Sequence, residues 1–131
     1  MPIFYSPTDS RNYRLELEIV ESSQDITNNQ TTISYWLFLR ALGSWFFQDF
    51  TSTIALTIDG VSLLNTTTQR VSLPGANSAT LLTSGTRVIN HNADGTKAIA
   101  VSARFRTNST TTFTPIPTHT INDPMVLMAL S

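Results

Sequence analysis

A chain of 131 residues has room for one domain and little more. Its 8 Lys+Arg against 9 Asp+Glu, with 13% charged residues overall, leave no basic stripe to meet nucleic-acid phosphates and no polybasic run for an anionic membrane surface. Cysteine is absent, which excludes disulfides, thiolate metal sites and Cys nucleophiles, and the 2 histidines leave little for acid–base chemistry.

The sequence holds 21 Thr, 14 Ser and 9 Asn. Thr is β-branched and suits a pleated surface, while Ser and Asn populate turns, so an all-β fold is expected. Met1 to Pro7 has no basic n-region and no long apolar stretch, and no apolar run approaches the roughly 18 residues that span a bilayer. Tyr13 to Val20 alternates Tyr13, Leu15, Leu17 and Ile19 with Arg14, Glu16, Glu18 and Val20, the period of a strand. Glu21 to Gln30 reads as a polar loop with Ile26 tucked inward. Thr31 to Arg40 is a second strand, with Ile33, Tyr35, Leu37 and Leu39 on one face and Ser34, Trp36, Phe38 and Arg40 on the other. Leu42-Gly43-Ser44 breaks it, and Trp45 to Phe50 is a short aromatic segment expected at a sheet edge.

Thr53 to Asp59 alternates again, with Ile54, Leu56 and Ile58 inward. Asp59-Gly60 then marks a hairpin, because a type I′ turn needs positive φ. Val61 to Leu64 returns beside it, and Gln69 to Leu73 is a further short strand. Ala79 to Thr83 and Thr86 to Asn90 read as one strand interrupted at Ser84-Gly85. His91 to Lys97 is a turn built on Asp94-Gly95, and Ala98 to Arg106 is the clearest strand in the chain. The short strands, the turn signals and the lack of a helical period describe an antiparallel β-sandwich, immunoglobulin-like or jelly-roll, over residues 1–106. Beyond Arg106, a run of Thr, Asn and Ser followed by Pro115-Ile116-Pro117 favours extended backbone. Residues 107–131 are therefore expected as a C-terminal arm whose apolar end, Met125 to Leu130, docks on its own domain or on a neighbouring subunit.

Two groups of residues are candidates for chemistry or binding. The first is the His91 to Lys97 turn. Asn92, Asp94 and Thr96 alternate like the start of a calcium loop, but the bidentate Glu that completes such a loop is missing. The reading adopted is a structural turn, in which Gly95 supplies positive φ while Asp94 and His91 bond nearby backbone. The second is the aromatic cluster: Tyr35, Trp36, Phe38, Trp45, Phe46, Phe47 and Phe50 fall within one short stretch. Such a cluster is core, a subunit interface or a platform for sugar rings. Glu16 and Glu18 share a strand face, which reads as a solvated surface rather than a glycosidase pair. No Gly-x-Ser-x-Gly elbow and no Gly-rich phosphate loop occurs.

Three stretches carry a family resemblance: Ile33 to Leu39, Thr53 to Gly60, and Leu82 to Lys97 running on into Ile99 to Ala103. The Ser84-Gly85-Thr86 step followed by His91-Asn92-Ala93-Asp94-Gly95-Thr96-Lys97 is the most specific part. Together they resemble the immunoglobulin-like or carbohydrate-binding-like modules of minor structural, tail-associated proteins of siphophages infecting Gram-positive bacteria such as streptococci. Those modules place a tryptophan where Tyr35 stands here, followed by a polar residue. Here Trp36 follows Tyr35, so the outward face of this strand is unusually aromatic.

The resemblance implies a non-enzymatic structural component of a phage virion, in the tail or its host-attachment apparatus, forming homo-oligomers among other virion proteins. No cofactor, nucleic acid or membrane is expected. Trp36, Phe38, Trp45 and Phe47 are expected to centre a subunit contact or a glycan contact, with Met125, Leu127 and Leu130 anchoring the arm. Removing the chain after Arg106 is then expected to leave folded monomers. The alternative roles are a capsid (head) decoration protein and a carbohydrate-binding module for host cell-wall polysaccharide.

Overall fold

The computed structural model describes residues 2–9, 11–43, 47–73, 75, 77–108 and 118–130, with backbone alone at 47–49. Among these residues there are eight strands and no helix: β1 (Ile3–Tyr5), β2 (Tyr13–Asp25), β3 (Gln30–Ala41), β4 (Phe47–Ile58), β5 (Val61–Leu73), β6 (Ala79–Asn90), β7 (Ala98–Thr107) and β8 (His119–Val126). They form two four-stranded antiparallel sheets, here called A (order β1-β2-β3-β6) and B (order β5-β4-β7-β8). The fold is a β-sandwich.

The period of two decides which side chains meet between the sheets. Tyr13, Leu15, Leu17 and Ile19 on β2 join Ile33, Leu37 and Leu39 on β3 to form sheet A's inner face, all fully buried. Ile54, Leu56 and Ile58 on β4 and Val101 and Phe105 on β7 answer from sheet B. Each such side chain contributes on the order of 1.5–3 kcal/mol by leaving water. Tyr35 lies over Gly85, its cross-strand partner, where a β-carbon would strike the Tyr35 hydroxyl. The Asp59-Gly60 turn has φ of 53° and 76°, the left-handed pair that a type I′ hairpin requires.

Several strands run further than their sequences announce. β2 continues through a bulge between Glu21 and Ser23, still paired with β3, and ends at a turn in which Ile26 is 61% exposed. Ile26 is thus not tucked inward. Val61 to Leu64 and Gln69 to Leu73 belong to one strand, β5, held to β4 through three register shifts. The Phe47–Ile58 strand lies between β5 and β7, but β7 pairs with it only from Ser52 onward, so among the described residues Phe47 to Thr51 is laddered on one side, to β5. β1 had no pattern of its own because it is only 3 residues long.

The segment after Arg106 differs most from expectation. His119–Val126 is strand β8, paired along β7 from Phe105↔His119 to Ala98↔Val126. Ile121 and Met125 point into the core and are buried, as is Leu127. For its described part, the expected arm is therefore a strand of the sandwich. Ending the chain at Arg106 would strip sheet B of β8 and open the core, so the expected folded monomer does not follow from that truncation.

Candidate functional site

The two outer faces of the sandwich are chemically unlike. Across sheet B, Asn65, Ala55, Arg104 and Thr120 stand in one line, and Ser62, Thr57, Ser102 and Asn122 in the next. These are the small polar and charged residues of an ordinary solvated face. Across sheet A, one line runs Tyr5, Glu16, Phe38, Leu81 and the next Ile3, Glu18, Trp36, Ser84. Ile3, Tyr5, Leu81 and Val88 are 43%, 47%, 51% and 51% exposed. Trp36 and Phe38 are half-buried between them. With strands about 4.8 Å apart, this patch is about 14 Å wide.

Glu16 organises the patch. It sits on the outer face yet is buried, roofed by its neighbours. Its Oε1 accepts from the Arg14 guanidinium at 2.9 Å and its Oε2 from Arg40 Nε at 2.6 Å. Arg14 in turn stacks on Tyr5, with the guanidinium carbon 4.1 Å from the ring centroid. Glu16 is thus not a solvated carboxylate but the pin of an Arg–Glu–Arg bridge. The alternation of the sequence places Glu16 and Glu18 on one face, but only the strand pairing reveals that Arg40 reaches Glu16.

The other expected contact residues scatter. Phe47 has its backbone in sheet B, away from Trp36 and Phe38 in sheet A. Its side chain and Trp45 lie outside the described residues. Met125 and Leu127 are core. Leu130 is buried at the opposite end, against the 91–97 turn.

That turn is tightly wired. His91 Nδ1 donates to the Gly95 carbonyl at 2.8 Å, and its Nε2 shares a hydrogen bond of 2.6 Å with the Thr31 hydroxyl. Gly95 has φ of 86°. Asp94 Oδ1 accepts from the Thr96 hydroxyl at 2.6 Å and from its N–H at 3.1 Å. The hydroxyl bond first, and the N–H bond second, hold the Asp94 carboxyl below its ordinary pKa. An open pocket of about 400 Å³ lies between this turn, Ile26, Asn29 and Leu130. Among the described residues no three His, Cys, Asp or Glu gather to hold a metal ion.

One constellation was not foreseen. Ser6 Oγ lies 3.1 Å from His119 Nδ1, and His119 Nε2 donates to Asp9 Oδ2 at 2.9 Å. Ser, His and Asp stand in line, but with the imidazole reversed from a hydrolase triad, in which Ser bonds Nε2 and Asp bonds Nδ1, and Ser6 is 4% exposed and His119 3%. The Ser6 oxygen also accepts from Leu15 N–H at 2.8 Å, and Asp9 Oδ1 accepts from the N–H groups of Arg11 and Tyr13. The chain of bonds closes the β1–β2 loop against β8 and leaves the serine no open path to a substrate. Ser6 and His119 are separated by 113 positions, so no local motif could have announced the pair.

No curated protein and no solved structure matches this chain. A family profile, described as "Siphovirus protein of unknown function (DUF859)", matches residues 1–123. That span covers almost the whole sandwich, including both lines of the sheet A patch, and the chain belongs to this siphovirus protein family.

Proposed function

We propose that this protein is a non-enzymatic structural component of the siphophage virion, in the tail or its host-attachment apparatus, and that it works by assembly through the outer face of sheet A. The observation that carries the reading is the asymmetry of the two faces. Sheet B's outer face is small and polar apart from Val126, exposed beside Ala98 at the end of β8. Sheet A's presents Ile3, Tyr5, Trp36, Phe38 and Leu81 around a fixed Arg–Glu–Arg bridge, with Val88 exposed further along β6. Aromatic residues and Arg are favoured anchors of protein interfaces, and a contiguous apolar patch on a folded domain marks a contact surface. Membership of a siphovirus family supplies the context for such a contact.

The test is solution mass by light scattering on the intact chain and on Trp36→Lys, which places a charge at the centre of the patch. The reading expects an oligomer that dissociates in the variant while the circular dichroism spectrum is retained. An intact oligomer in folded Trp36→Lys would remove the face from the account.

A second reading is favoured by one detail. Trp36 is flanked on its own line by Glu18 and Ser84, a half-exposed indole beside a carboxylate and a hydroxyl. Sugar rings are recognised by such a combination of stacking and hydrogen bonding. If the patch binds host cell-wall polysaccharide, tryptophan fluorescence will shift on titration, and Trp36→Phe will abolish the shift.

A further inference from the structure

Each sheet of an open sandwich ends in two strands with unpaired N–H and C=O groups, and proteins protect such edges from pairing with other chains. Three of the four edges here are protected. β1 is 3 residues long. β8 carries Pro124, which has no N–H to offer, and Asp123 on its inward-facing register. β5 is distorted by three register shifts along β4. β6 differs: its inward-register charge, Arg87, is paired with Asp59 at 4.0 Å, and from Thr83 to Asn90 the strand runs against β3 without a shift.

The direction of its free groups follows from the pairing. His91 N–H donates to the Asn29 carbonyl at 2.9 Å, which continues the register of Gln30↔Asn90. Bonded pairs alternate along an antiparallel ladder, so Ile89, Arg87, Gly85 and Thr83 bond to β3, and Asn90, Val88, Thr86 and Ser84 point their N–H and C=O away from it. All four of these residues are exposed. At the upstream bulge, the Gln69 side chain caps the Leu82 carbonyl at 3.1 Å. Among the described residues no comparable cap reaches Ser84, Thr86, Val88 or Asn90.

We infer that the β6 edge from Ser84 to Asn90 pairs antiparallel with the same edge of a second copy of this chain about a two-fold axis, fusing the two sheets A into one eight-stranded sheet. A strand edge is self-complementary under such an axis, because each residue exchanges both bonds with its opposite number. An axis through Arg87 would set two guanidinium groups face to face. An axis through Thr86 sets Arg87 opposite Gly85 and Val88 opposite Ser84, and avoids the clash of charge. The pairing also brings Val88 of one copy into line with Ser84 and Trp36 of the other, making the outer faces of the two sheets A continuous. It presupposes the assembly reading above and names both its partner and its geometry.

The test is solution mass over a concentration series for the intact protein, Thr86→Pro and Trp36→Lys. Thr86→Pro removes an outward N–H without touching the β3–β6 ladder, so the fold is expected to persist and the mass to halve. A second variant, Val88→Lys, places a charge at the junction and is expected to do the same. In the intact protein the amides of Thr86 and Val88 should resist hydrogen exchange and lose that protection on dilution. Edge variants that keep the wild-type mass, or unprotected Thr86 and Val88 amides in the oligomer, would overturn the edge pairing. If Trp36→Lys alone dissociates the protein, assembly through the face stands and the edge pairing falls. An intact protein that is monomeric throughout would overturn both.

Discussion

Leu130 closes over Gly95: its N–H donates to the Gly95 carbonyl at 2.9 Å, and its own carbonyl oxygen occupies the place where a β-carbon on Gly95 would lie. The same Gly95 carbonyl accepts from His91, so one residue holds both the turn and the end of the chain. Gly95→Ala therefore meets a left-handed φ and a backbone clash together. It is expected to cost roughly 3 kcal/mol in urea denaturation. Gly60→Ala also has positive φ but open space around it, and is expected to cost only about 1 kcal/mol. Equal losses would contradict the docking of Leu130.

The Ser6–His119–Asp9 chain is expected to act in stability rather than in catalysis. His119→Ala leaves a buried carboxylate oxygen and a buried hydroxyl without their partner and should cost about 2–3 kcal/mol. Ser6→Ala should cost about 1–2 kcal/mol, because the Leu15 N–H loses its acceptor. Neither the intact protein nor Ser6→Ala is expected to turn over an activated ester. Turnover that vanishes in Ser6→Ala would reverse this reading.

Glu16 and Glu18 make a matched comparison on one strand face. Glu16→Ala leaves Arg14 and Arg40 without the carboxylate between them. Allowing for the partial exposure of both arginines, the loss should be about 2 kcal/mol. Glu18→Ala is expected to stay within about 0.5 kcal/mol of the wild type. Denaturation midpoints of the two variants check this, and similar values would remove the Arg–Glu–Arg bridge from the account.

Two exposed turns set an acid dependence. The Asn28 side chain first, then the Asn28 N–H, hold the Asp25 carboxyl below its ordinary pKa, as Thr96 does for Asp94. For a carboxyl whose folded pKa is lowered, the stabilisation is present above the unfolded value and is lost as pH falls through the folded one. Stability should thus decline on acidification below the usual Asp range. Asp25→Asn together with Asp94→Asn should flatten that decline, as read by thermal melts across a pH series. An unchanged slope would show that other carboxyls set it.

Much of the sandwich was legible because its inner faces obey a period of two: Leu15, Leu17, Ile33, Leu37, Ile54 and Val101 could face inward together only as strands. The hairpin at Asp59-Gly60 was legible from backbone sterics alone. The length of β2 after Val20 was not, because Ser22, Ser23 and Gln24 are exposed and carry no apolar signal. β8 was missed for a related reason. Its inward register reads His119, Ile121, Asp123, Met125, and the polar members conceal the alternation. His119 is inward only because Asp9 and Ser6 wait for it far away in sequence. At the candidate site, Trp36 and Phe38 were found as outward aromatics on β3. Tyr5, Leu81 and the Arg40–Glu16 contact emerge only when β1, β2 and β6 are set beside that strand.

Immunogold labelling of intact phage particles with antibody against this chain asks whether the protein sits in the virion and where. Gold is expected on the tail or its tip, at repeated positions. Gold on the head would make the protein a capsid decoration protein. Particles left unlabelled after exposure of all their surfaces would contradict a role in the virion.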